Sequence, residues 1–423
     1  MKTTGLSLDQ APPLAVPLGF FALVPLALLA AGALLAWHGG ALLQSHWLPR
    51  TAGWAHVLTL GVLLAAMFGA LYQLVPVVLG VPVYGVRLGH GVTALLAVGG
   101  AGLAAGLLGA WPVLIAAGGA ALAAAIALFL GPIGRAVWQA TAGGATQAGM
   151  RGALACLLAL ALLGLRLAWG HAVGVLPPER QTLLVAHVTL GLLGWVGGLM
   201  AAVTWKVVPM FYLTAPFSPR WTRAVAALAT FSPLAAGLAA TLDAPLSVVI
   251  GLATPAALAI WGVQPWVVFR LFAQRRRRRE DATLLFWLVS TVCGPLALAA
   301  AITAWQLPTP SAPLLFGWLA ILGWAGTLVH GMLLRIVPFI VWFHRFAACG
   351  GQFKVPPMRQ LLPNAHIAWN FRVHALAVGL GAVAIVSGVD ALARAAGLGL
   401  AATGGLLAAA LIGTLRRSRV PTT

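Results

Sequence analysis

The chain has 423 residues, 61% of them hydrophobic and only 7% charged, with a formal net charge of +19. Soluble domains carry about 25% charged residues, and a single soluble core stops growing before it could absorb this much apolar sequence, so a water-soluble globular fold is excluded. The charge does not mark a nucleic-acid binder either. Nearly every Lys and Arg sits between apolar segments, where basic residues set membrane topology.

A hydrocarbon core about 30 Å thick takes roughly 20 apolar residues per helix. In chain order, runs of that kind fall at 12–37, 53–78, 90–109, 112–133, 152–174, 182–209, 222–241, 246–270, 283–304, 313–343, 366–388 and 396–415. The first run is long enough to span and stay, and it lacks the charged region and cleavage site of a signal peptide. The third and fourth runs are separated only by Ala110-Trp111-Pro112, and they are read as two spans. The prediction is an all-α membrane protein of twelve spans with both termini cytoplasmic. In that orientation the inner segments, with span ends such as those that hold Arg270 and Arg372, collect nineteen basic residues, including Arg275 to Arg279, and the outer loops keep Arg50, Arg180 and Arg394. Arg166, Lys206 and Arg335 fall inside predicted spans. The arginine run is read as a stop-transfer and headgroup feature. The six acids are Asp9, Glu179, Asp243, Glu280, Asp281 and Asp390, and the three cysteines (Cys156, Cys293, Cys349) form no disulfide framework or thiolate metal motif.

Spans two, six and ten share a signature. Their inner ends read Tyr72-Gln73-Leu74-Val75-Pro76, Trp205-Lys206-Val207-Val208-Pro209 and Leu334-Arg335-Ile336-Val337-Pro338. A Leu-Gly pair sits fifteen residues, counted from the glycine, before each proline: Gly61, Gly194 and Gly323. The copies are 133 and 129 residues apart, which makes one membrane domain over 1–423 of three four-span units, about 1–145, 146–281 and 282–423. The polar position is costly in a membrane. Gln73, Lys206 and Arg335 either snorkel to the inner interface or line an internal cavity.

Span two and its following loop run His56, Leu60-Gly61, Tyr72-Gln73-Leu74-Val75-Pro76, Gly80-Val81-Pro82 and Arg87-Leu88. This resembles the second helix of subunit I of the haem-copper oxidases, with a haem-ligand histidine at its outer end, an Asn-Tyr pair, a proline, a Gly-x-Pro and an Arg-Leu. The tyrosine and the arginine are each displaced by one position. The close match covers about 35 residues, but twelve spans in three pseudo-repeats with cytoplasmic termini match that family's architecture throughout. The resemblance implies a multi-pass protein of the bacterial inner membrane, in contact with the lipid bilayer, with b-type haem or copper as cofactor. It also implies a redox protein or partner subunit, and no nucleic acid.

The departures are as informative. Where span ten of the oxidases carries its His-x-His pair, this chain has Phe316-Gly317-Trp318, and the span at 222–241 has no histidine for copper. Span six has His187 without the expected neighbouring motif, and no carboxylate lies in mid-membrane. The implied protein is a divergent relative lacking the oxygen-reducing centre, of the broad sort that includes NnrS-like haem and copper proteins.

Imidazole is the usual axial ligand of b-type haem. His56 and His187 occupy nearly equivalent places near the outer starts of spans two and six, and both are candidate haem or metal ligands. His187 lies on a stripe with Gly191, Gly194 and Gly198, at offsets of four, seven and eleven, which would let a flat ligand or another helix approach. The competing reading makes both histidines interfacial and the glycines packing residues. His330 is the alternative partner for His56. It lies eight residues before its proline and His56 twenty before its own, about 18 Å apart in depth at 1.5 Å per residue, so it reads more readily as a buried polar partner. His90, His344, His366 and His374 are expected at the cytoplasmic interface, and Arg166, Arg180 and Arg394 as interfacial charges. Two functions stay open: a haem- or copper-binding protein for electron transfer or for handling haem, copper or nitric oxide, and a metal-free transport or assembly protein on the same fold.

Overall fold

The computed structural model describes residues 10–141, 143–276, 281–307, 309–346 and 356–418. Asp9, Cys349, Glu280 and Arg277 to Arg279 lie outside them. Among the described residues there is no strand, and twelve helices are long and apolar enough to cross a membrane. They run Ala15–Leu43, Pro49–Leu79, Leu88–Gly109, Pro112–Gln139, Gly144–Val173 and Arg180–Tyr212, then Pro219–Thr241, Leu246–Ala273, Thr283–Gln306, Ser311–Phe346, Asn364–Ser387 and Asp390–Arg417. Every predicted run has its helix. Spans three and four are separate: Ala110 turns left-handed (φ 54°), Trp111 is extended, and Pro112 opens the next helix at its first position.

The signature spans stand apart from the others. In their most apolar stretches, 83%, 67% and 72% of the residues of spans two, six and ten are buried by protein, against 33 to 50% in the other nine. Protein surroundings of this kind let polar residues such as Gln73 sit in an apolar span. Each also contains a π-helical segment over its Leu-Gly pair: Thr59–Leu64, Leu190–Gly197 and Leu319–Gly326. All three segments end twelve residues before the signature proline. The helices then run on past Pro76, Pro209 and Pro338, so the prolines lie inside the spans instead of ending them. A proline cannot donate to the carbonyl four residues back, so the carbonyls of Tyr72, Trp205 and Leu334 lose that bond beside each polar side chain.

The repeat extends to packing. A Cβ placed on Gly61 would lie 2.5 Å from Ala27 Cβ, one on Gly194 2.6 Å from Cys156 Sγ, and one on Gly323 3.0 Å from Cys293 Sγ. In every copy the signature glycine is where the first span of the unit presses on the second. With no hydrophobic drive between helices in lipid, close approach through small residues supplies the van der Waals contact that holds them.

The chain forms two compact units. One comprises residues 67–278 with the N-terminal residues to Pro12. In it, spans three and four interlock through Gly99, Gly106 and Gly118, and Phe68 stacks on Phe129 with ring centroids 3.6 Å apart. The other comprises residues 13–66 and 279–423. Its first and last spans interlock through Gly32, Gly397 and Gly404, where a Cβ would collide with the opposite backbone. At the end of that contact Arg394 donates to the Ala36 and Trp37 carbonyls, and Asp390 accepts from Gly40 N–H at 2.7 Å.

Gly194→Ala is expected to destabilise the protein by about 1–3 kcal/mol, the usual cost of overpacking. Gly251→Ala, which has open space around it, is expected to be neutral. Thermal unfolding of both variants in detergent checks the difference.

Candidate functional site

The outer histidines come first. In the unit of residues 13–66 and 279–423, His56 is half-buried one turn before the π segment, and its Nδ1 lies 2.7 Å from the Ala52 carbonyl. A carbonyl only accepts, so Nδ1 carries the proton and Nε2 the lone pair. Backbone orientation of the distal ring nitrogen is the usual arrangement of a metal-ligating histidine.

His187, in the unit of residues 67–278, is also half-buried, and Gly164 of span five lies directly against its ring. Gly191 faces Leu160, Gly194 faces Cys156, and Gly198 faces Ala229 and Ala153. The space opened by the glycine stripe is filled by spans five and seven. Among the described residues, no three His, Cys, Asp or Glu side chains come together as a metal site.

The outer arginines are structural clamps. Arg166 pairs with Glu179, and Arg394 pairs with Asp390 at 2.6 Å while tying down the end of span one.

The three polar signature residues have different surroundings. Gln73 is buried, with no hydrogen-bond partner for Oε1 among the described residues. Lys206 is exposed. Arg335 is paired with Asp281 at 2.5 Å. Asp281 also accepts from Thr283 N–H and Oγ1, and Asn364 Oδ1 accepts from Ala282 N–H, so this turn is tied to both spans ten and eleven.

The unit of residues 13–66 and 279–423 holds a polar centre that only half emerges from the sequence. His330 and His374 are each 1% exposed, with ring centroids 5.1 Å apart and planes at 72°. His330 Nε2 lies 3.0 Å from Asn370 Oδ1, and His374 Nε2 lies 2.8 Å from Thr327 Oγ1. Each imidazole therefore bonds a residue on the other's span. The placement of His374 at the cytoplasmic interface is corrected here. It lies ten residues into span eleven, about 15 Å deep at 1.5 Å per residue. His90 and His366, by contrast, are exposed.

The proton positions of the pair follow from its partners. Asn370 Nδ2 donates to the His366 carbonyl, which turns Oδ1 toward His330, so His330 Nε2 is the donor. The Thr327 hydroxyl donates to the Leu322 carbonyl, so its oxygen accepts from His374 Nε2–H. Both rings then present a bare Nδ1, and neither Nδ1 has a hydrogen-bond partner among the described residues. A buried acceptor left so costs about 1–3 kcal/mol. Phe286 lines the pair at ring distances of 5.0 and 6.2 Å, and Phe371 packs on Phe286. The sequence signal for this centre is the polar file His366, Asn370, His374, spaced four apart in the first half of span eleven.

A six-coordinate haem on the oxidase pattern does not fit these residues. The place of the span-ten ligand pair holds Trp318, which donates Nε1–H to the Val378 carbonyl at 2.9 Å and stacks on Trp54 at 5.8 Å, with planes at 11°. Gly381 lies directly against the Trp318 ring. An indole nitrogen has no lone pair to offer a metal, and His330 is bonded elsewhere.

No family model matches the chain, and no curated protein does.

Asp281→Asn keeps the shape of the turn and removes the charge opposite Arg335. It is expected to cost about 1–3 kcal/mol, the range for hydrogen bonds to charged groups, read as a lower unfolding midpoint in detergent.

Proposed function

We propose that this chain is a multi-pass protein of the bacterial inner membrane, divergent from oxidase subunit I, that handles copper ions and does not reduce oxygen. The observation that carries this reading is the exchange at Trp318. The unit keeps an outer imidazole, His56, oriented to ligate through Nε2, while the opposing haem-ligand position is filled by an indole locked on Trp54 and Val378. Histidine nitrogen suits copper among the first-row metals, and an ion needs none of the space that the stacked indoles occupy.

A metal-free transport or assembly role is the second reading. The observation in its favour is Gln73, buried in a signature span with an unsatisfied carbonyl oxygen. Exposed Lys206 and ion-paired Arg335 speak against a single cavity lined by all three signature residues.

The two readings separate on purified protein loaded with Cu(I) under reducing conditions. Retained copper with no haem absorption band is expected. His56→Ala is expected to slow copper loading of the protein in vesicles. A stoichiometric haem band would overturn the copper reading in favour of a haem protein, and the absence of both would leave transport or assembly.

A further inference from the structure

Two imidazoles buried in the middle of a membrane bundle, both with a bare Nδ1, need something electron-poor beside them. The observations narrow what it is. The rings are neutral and already donate through Nε2, to Asn370 and to Thr327, so a ligand at Nδ1 displaces no proton. Beyond these two histidines, no further His, Cys, Asp or Glu among the described residues joins them as a metal-ligand group.

A zinc ion asks for four ligands, usually including charged ones. A divalent cation in an apolar site also carries a desolvation penalty that grows with the square of its charge. A monovalent soft cation avoids both difficulties. Cu(I) accepts two nitrogen ligands in a near-linear arrangement and carries a single charge, and imidazole is among the ligands that suit copper. The aromatic face of Phe286, 5.0 Å from His330 and 6.2 Å from His374 between ring centroids, offers the kind of wall that tolerates a cation.

We propose that His330 and His374 form a deep two-coordinate site for Cu(I), held through their Nδ1 atoms between spans ten and eleven. The inference rests on the copper reading above for the identity of the ion, and on the buried pair alone for its place. Two imidazoles joined through a metal about 2 Å from each nitrogen have ring centroids about 6 Å apart. The pair, now at 5.1 Å, therefore opens by about 1 Å on binding. The element placed to give is the π segment Leu319–Gly326, which ends immediately before Thr327 and whose Leu322 carbonyl takes the Thr327 hydroxyl. Asn370 and Thr327 act as positioning residues, since they fix which nitrogen of each ring is bare.

The test uses the full-length protein in detergent with Cu(I) alone as probe, its affinity read by competition against a chromophoric chelator. His330→Ala and His374→Ala are each expected to weaken Cu(I) at least tenfold, while His90→Ala, at an exposed imidazole outside the pair, leaves equilibrium affinity unchanged. X-ray absorption of the loaded wild type is expected to show two nitrogen neighbours. This readout stands even if a variant fails to fold, and thermal melts report on folding. Copper retained by both variants at wild-type affinity, or a sulfur shell from the cysteines, overturns the site and leaves the copper reading standing. A wild type that binds no copper overturns both. Zinc held as tightly as Cu(I) at the same residues overturns the monovalent assignment.

Discussion

The fold depends on one contact made three times: the first span of each four-span unit pressed against the signature glycine of the second. In lipid the helices gain nothing from hiding apolar surface, so close packing has to hold them. Ala27 on Gly61, Cys156 on Gly194 and Cys293 on Gly323 are that packing. The same stretch of each second span winds as a π segment. A π turn adds a residue to the helical circuit and withdraws carbonyls from the regular ladder. In span ten side chains add to that ladder: the Leu322 and Trp324 carbonyls, which both face the Thr327 N–H, also accept from the Thr327 hydroxyl and from Ser290. Every backbone group at membrane depth must find a partner within the protein.

This explains what was legible in the sequence. Twelve spans, and the split between spans three and four, follow from hydropathy and from Pro112, because the bilayer sets the length of every helix. The three-fold signature was legible because it recurs in step with the span count. Its π geometry was not, since nothing in a Leu-Gly pair distinguishes a π turn from an α turn. Helical offsets drawn through Gly191, Gly194 and Gly198 assume an unbroken 3.6-residue repeat, and the π segment Leu190–Gly197 interrupts it. The glycines face spans five and seven, a matter of tertiary neighbours that no single-helix stripe contains.

The candidate site was legible by halves. His330 stood out because it is ionisable and deep in a span. His374 did not, because it falls in the inner half of the run 366–388 and its partner is on another span. The side chain turns inward against span ten. What pairs the two residues is a tertiary register: His330 reaches Asn370, and His374 reaches Thr327. Each bond crosses between spans, so neither is visible in the sequence of one helix. Arg335 is similar. Its partner Asp281 lies before span nine begins, outside any apolar window, and only the packed turn brings the two together.

The stacked indoles and the buried imidazole pair lie in one unit. Trp54 and Trp318 are stacked and hydrogen-bonded to the Ala31 and Val378 carbonyls, and His330 and His374 are each 1% exposed. Buried polar groups in a membrane are expensive to keep, and two buried ring nitrogens without hydrogen-bond partners among the described residues raise that expense instead of lowering it. A chain that only needed its scaffold would gain stability by replacing His330 and His374 with apolar residues of similar size. Their presence, each held by a dedicated partner that fixes its tautomer, is a physical reason to look for function in the depth of this unit as well as at His56.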